Sequence, residues 1–158
     1  MTRLNWIQAS PKDFQALSAL NAHVNDAPLE APLLELVKLR ASQINGCAYC
    51  IDMHTKDARA AGETEQRLYL LNAWREATHL YTERERAALA LTEAVTRLTD
   101  GQVPDSAYEP ARAQFSDLEL MQLMMVITMI GTWNRLNVTF RSEAGSYRPG
   151  MFKRLKQA

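Results

Sequence analysis

PLLELVKLRASQINGCAYCIDMHTKDARAAG, residues 32–62, decides how this chain is read. It holds the only two cysteines, Cys47 and Cys50, with Glu35 upstream and His54 downstream in the spacing Glu-x11-Cys-x2-Cys-x3-His. From Pro32, Leu33, Val37 and Ile44 form one helical face and Leu34, Leu36 and Leu39 widen it. A helix apolar nearly all round is a buried one. Glu35 lies opposite Leu33, Val37 and Ile44, near Leu39 and Ser42; on the residues alone it reads as a solvated glutamate. Gly46 precedes a second helix and Gly62 is placed as its C-cap. At helical spacing Cys47, Cys50, Ile51, His54, Ala58 and Ala61 share its inner face, with Asp52, Lys56 and Arg59 opposite.

The reactive form of a cysteine is the thiolate. A helix N-terminus lowers a thiol pKa through its partial positive charge, which favours Cys47. His54 is four residues after Cys50, hence its neighbour on the helix, which favours Cys50. Spacing alone leaves both open. Three plainer readings compete. A buried cysteine can be a small hydrophobe. A structural zinc site needs about four ligands, and no second CxxC pair exists here. A disulfide across so short a loop restricts the unfolded chain little.

Outward from this stretch the pattern stays helical. Ser10-Pro11 reads as an N-cap with proline at the first helical position, followed by a stripe of Phe14, Leu17, Leu20 and Val24. Residues 25–28 break it. Glu63 to Thr78 reads as one amphipathic helix carrying Leu68, Leu71 and Trp74. Thr82-Glu83-Arg84-Glu85 and Ser116-Asp117-Leu118-Glu119 are capping boxes. The first opens a helix with Ala88, Leu89, Leu91, Ala94, Val95 and Leu98. The second opens a long helix to about Thr139. Between them residues 100–104 form a turn and Pro104 to Gln114 a helix. Met121, Met124, Met125 and Met129 read as core or subunit-interface filler rather than ligands. Trp133, Asn134 and Arg135 are placed to satisfy polar groups at an oligomer contact, and His23 and His79 read as surface or capping histidines rather than ligands. The tail from Gly145 to Ala158 reads as loosely ordered and mildly basic.

With 158 residues, 47% of them hydrophobic, the chain supports one all-α domain spanning 1–158. Eighteen basic side chains match eighteen acidic ones, so no global field attracts nucleic acid. No signal-peptide pattern and no membrane-length apolar run is visible, and the cytoplasm is the expected location. Phosphate-binding loops, Ser-His-Asp order, repeats and strand-like alternation do not stand out.

The run Leu39 to His54 resembles the core motif of the alkylhydroperoxidase D-like (AhpD-like) proteins of the carboxymuconolactone decarboxylase superfamily. The spacing of Glu35 matches the peroxidase branch, and Trp133-Asn134-Arg135-Leu136-Asn137-Val138 resembles the final helix of the group. The resemblance covers about Pro32 to Arg141. It implies an all-helical subunit that assembles into dimers, trimers or hexamers. It implies that Cys50 is peroxidatic, that Cys47 resolves and meets an external dithiol reductant, and that Glu35 and His54 relay protons. It implies no cofactor and no metal. Well-known peroxidase members have a histidine just before the second cysteine; here that residue is Tyr49, a poor base near neutral pH. The decarboxylase branch lacks the CxxC pair.

The expected function is a thiol-dependent peroxidase or disulfide reductase of the antioxidant type, acting on a hydroperoxide without nucleic acid or membrane partners. The alternatives are a non-catalytic redox sensor on the same pair and a zinc-binding structural protein.

Overall fold

A chain whose periodicity is 3.6 along most of its length folds by packing helix on helix. In the computed structural model, which describes residues 1–26 and 28–151, every regular element is helical. The helices are α1 (Trp6–Ala9), α2 (Pro11–Asn25), α3 (Ala31–Ile44), α4 (Ala48–Ala60), α5 (Glu65–Leu70), α6 (Glu83–Arg97), α7 (Asp105–Gln114) and α8 (Asp117–Phe140). The apolar α3 sits at the centre, against α4, α6 and α8. Leu36 and Leu39 are 0% and 1% exposed. Burying each contributes about 1.5–3 kcal/mol.

Two cores share α3. Leu33, Leu34 and Val37 pack with α6, α7 and α8 around Leu91, Leu123 and Val126. Leu36 and Leu39 pack with Leu71, Trp74 and Leu89. Both capping boxes form, Thr82 with Glu85 and Ser116 with Glu119.

Several expectations shift. The single helix over 63–78 is instead the six-residue α5, a 3-10 turn at Leu71–Ala73 and irregular chain. The tightened turn delivers Leu71 and Trp74 to the second core, and Trp74 Nε1 donates to Glu93 Oε1 at 3.0 Å. Tertiary packing there outweighs local helix preference. Leu98 does not join the α6 stripe: it caps the helix at φ 42° and is exposed. Leu20 is exposed, and Ala61 is an exposed cap rather than an inner-face residue. Ser10 precedes Pro11 as expected, but its hydroxyl donates to Asp13 instead of capping backbone. Of the four methionines, Met129 is buried, Met124 and Met125 pack partly buried on the core, and Met121 is exposed. Asn134 works inside the subunit, not at an oligomer contact: it donates to Ser42 Oγ (3.0 Å) and accepts from Asn45 Nδ2 (2.9 Å). Trp133 Nε1 donates to Asn21 Oδ1, and Arg135 to the carbonyl of Gly131. His23 and His79 are exposed, as expected.

The tail is docked as far as it is described. Tyr147 is buried, and Lys56 Nζ donates to the carbonyls of Gly145 and Tyr147 at 3.1 Å each. Residues 152–158 lie outside the described residues. Among the described residues no helix is long and apolar enough to cross a membrane.

Candidate thiol active site

The junction of α3 and α4 is built by one glycine. Gly46 takes φ +64°, its N–H bonds the carbonyl of Gln43 (3.3 Å), and the next N–H, of Cys47, bonds that of Ser42 (3.0 Å). This paired closure ends α3 and leaves Cys47 outside the next helix as its N-cap. The Cys47 sulfur therefore accepts the N–H of Cys50 at 3.4 Å, where a serine or aspartate oxygen would ordinarily sit. Cys47 is thus a cap, not a face residue of α4. The two free thiols lie with Sγ atoms 2.7 Å apart, both buried.

Charge in this pair is shared unequally. The hydrogen bond from Cys50 lowers the Cys47 thiol to about 7 against the opposition of burial, with help from the Cys50 and Tyr49 backbone and the Asn134 amide. Donating to Cys47, burial and the Cys47 charge push Cys50 up, and the Asn134 and Asn137 amides oppose that. The pair thus gives up one proton early and holds the other.

Glu35 and His54 meet across the α3–α4 interface. Glu35 Oε2 lies 2.8 Å from His54 Nδ1, and Glu35 Oε1 accepts from Lys38 Nζ at 3.0 Å. Burial would raise the Glu35 carboxyl, but the hydrogen bonds and charges of His54 and Lys38 hold it at about 2. An ionised carboxylate only accepts, so Nδ1 donates its proton to Glu35 and Nε2 is the ring nitrogen left to exchange one. Nε2 is buried with no hydrogen-bond partner among the described residues. The solvated-glutamate reading of Glu35 gives way to this pairing.

A cleft of about 1340 Å³ passes over the site. Cys50, His54, Glu35 and Tyr49 line it and Cys47 does not. Its apolar wall includes Met129 and three rings, Trp6, Phe14 and Trp133, whose centroids lie 5.8–6.3 Å apart. Burial first, then the cysteine and Asp52 charges, raise the Tyr49 phenol, which stays protonated at neutral pH.

The matching family model is that of the carboxymuconolactone decarboxylase family, over residues 11–94. The uncharacterized protein YdfG of Bacillus subtilis (strain 168) is 37% identical over 144 residues, 91% of this chain and 97% of its own. The chain is an AhpD-like member of the carboxymuconolactone decarboxylase family. A solved structure from Agrobacterium tumefaciens, of unknown function and named as a candidate AhpD antioxidant defence protein, superposes on this AhpD-like protein with TM-score 0.89. It is 46% identical and covers 93% of this chain and all of its own. An uncharacterized peroxidase-related protein from Ralstonia eutropha JMP134, with an alkylhydroperoxidase AhpD core, shares the fold at 20% identity and TM-score 0.75, covering 89% of this chain and 74% of its own.

Sequence reading of this AhpD-like protein singled out Cys47, Cys50, His54 and Glu35; the structure pairs Cys47 with Cys50 and Glu35 with His54, and Cys50, His54 and Glu35 line one cleft. It missed Asn137, whose Nδ2 lies 3.6 Å from Cys50 Sγ, and the hydrogen bond between Tyr147 and Asp57. Asn137 lies within the final-helix resemblance but carries no signal pointing to a sulfur. Glu35, His54 and Asp57 place one ligand atom each within 4.8 Å of one another, the spacing of a cation site. Hydrogen bonds already tie Glu35 to Lys38 and to His54 Nδ1, and the Tyr147 hydroxyl to both Asp57 oxygens, leaving His54 Nε2.

Proposed function

We propose that this protein is a thiol-dependent peroxidase or disulfide reductase of the antioxidant type. The observation that carries the reading is the placement of His54: its Nδ1 is fixed on Glu35, its buried Nε2 has no hydrogen-bond partner among the described residues, and the residue lines the same cleft as Cys50. A base held by a carboxylate beside a nucleophile is the arrangement of acid–base-assisted thiol chemistry.

In the proposed cycle His54 accepts the Cys50 proton. The Cys50 thiolate attacks the distal oxygen of a hydroperoxide and the O–O bond breaks. The departing alkoxide takes the proton from the His54 imidazolium, giving alcohol and a Cys50 sulfenic acid. Cys47, outside the cleft but touching Cys50, attacks that sulfur as its thiolate. Hydroxide leaves and is protonated to water, and the Cys47–Cys50 disulfide forms. An external dithiol restores both thiols by exchange. The early ionisation of Cys47 suits a resolving thiol. The burial of both sulfurs favours the second reading, a redox sensor with slow turnover.

The test is mass spectrometry and thiol titration of reduced protein given one equivalent of cumene hydroperoxide. A disulfide formed within seconds, abolished in Cys47→Ser and Cys50→Ser, with sulfenic acid trapped in Cys47→Ser alone, supports the peroxidase. Thiols that survive for many minutes remove it. A disulfide that forms only slowly supports the sensor.

A further inference from the structure

The C-terminal segment 145–151 is stitched to α4, the helix that carries Cys50 and His54. Asp52 accepts the N–H of Gly145 at 3.0 Å, and Lys56, paired with Asp52, holds the Gly145 and Tyr147 carbonyls. The Tyr147 hydroxyl lies 2.8 and 2.9 Å from the two oxygens of Asp57. Asp57 in turn has an oxygen within 4.8 Å of Glu35 and His54. Tyr147 and Gly150 line the same cleft as Cys50.

We infer that Tyr147 is a positioning residue of the thiol site: by holding Asp57 as a hydrogen-bonded anion, it adds a second carboxylate to the Glu35–His54 relay. The inference rests on the peroxidase reading for its purpose, but not for its test. Asp57 is partly buried and its raised proton affinity comes first from that burial; the Tyr147 hydrogen bond is the largest opposing influence. Without the phenol, the proton affinity of Asp57 rises further. The titratable groups around His54 are Glu35 with its Lys38 partner on α3 and Asp57 on α4, with Cys50 on the same cleft. The imidazolium that forms as Cys50 loses its proton then has less negative charge beside it. A thiolate–imidazolium pair is less favourable in that field, so Cys50 ionises at higher pH.

The experiment reads Cys50 alone, in a Cys47→Ser background, by its rate of alkylation with iodoacetamide across about pH 5–10. Tyr147→Phe keeps the ring in its buried seat, and Asp57→Asn keeps the carboxamide shape. Both are expected to move the alkylation limb up by about half a pH unit or more, a loss of about threefold in rate on its rising side. Circular dichroism confirms that each variant is folded. A limb within about 0.2 units of the background protein in either folded variant overturns the assignment. Alkylation needs no peroxide, so the result stands whether or not the protein proves to be a peroxidase.

Discussion

Asn137 Nδ2 lies 3.6 Å from Cys50 Sγ, joining α8 to the first turn of α4 across 87 residues of sequence. The same amide donates to the carbonyl of Trp133 at 2.9 Å, which fixes its direction. A donor aimed at a sulfur favours the thiolate, and here it opposes the influences that push Cys50 up. Asn137→Leu keeps the volume and removes the donor. Sulfenic acid formation at Cys50, followed by stopped flow in the Cys47→Ser background, should slow by about tenfold at neutral pH, one unit of thiol pKa. An unchanged rate would show that the amide serves only packing.

The shared proton of Cys47 and Cys50 makes stability depend on redox state and pH. Cys47 falls from 9.0 to about 7 in the folded protein. Between those values the unfolded chain binds the extra proton, so stability of the reduced protein rises from about pH 7 toward 9 and that gain is lost as pH falls through about 7. Above 9 the raised Cys50 works the other way, because the unfolded chain releases a proton that the folded chain keeps. Urea melts of reduced protein should peak near pH 9 relative to the Cys47→Ser Cys50→Ser protein. A constant difference between the two across that range contradicts the shared-proton account.

Glu35 gives a second pH window at the acid end. Its folded value of about 2 lies below the 4.5 of an ordinary glutamate. Its contribution is fully present above about 4.5 and is lost as pH falls toward 2, on the order of 3 kcal/mol in all. Glu35→Gln should therefore cost stability at pH 7 and little at pH 2.5. Equal loss at both, measured as the shift in urea midpoint, would mean that the side chain acts through shape and not charge.

What could be read from sequence follows from where each contact comes from. Cys50 and His54 share a helix face, so a spacing of four residues announced them. Gly46 and Gly62 announced the limits of α4 because each occupies a left-handed position after a helix end, at φ +64° and +97°. Glu35 was legible only through family spacing, since its partner comes from another helix and its own neighbours say nothing of it. Asn137 and Tyr147 reach the site from 87 and 90 residues away by tertiary packing, which no local period encodes. The helix expected over 63–78 failed for the same reason: Trp74 answers to Glu93, 19 residues on.

Glu93 is a buried anion away from the thiol site, and it is structural. One oxygen accepts from Arg40 Nε (2.8 Å) and Trp74 Nε1 (3.0 Å), the other from Arg75 (3.1 Å) and Arg97 (3.2 Å). Burial would raise its carboxyl; these donors, Trp74 and Arg40 foremost, hold it at about 2. Arg40 is itself 8% exposed, so removing Glu93 leaves a buried guanidinium whose remaining side-chain partner among the described residues is Gln43. Glu93→Ala should cost about 3–5 kcal/mol, the toll of an unpaired buried charge. Glu93→Gln, which keeps an acceptor for Arg40 or Trp74 but not the charge, should cost less. Trp74 fluorescence should shift to longer wavelength in the alanine variant as water reaches the indole N–H. Because Arg40 and Trp74 join α3 to the turn after α5, unfolding followed at Trp74 should precede loss of helical signal. Coincident transitions with a cost below about 1 kcal/mol would place the pair among exposed ion pairs of little worth.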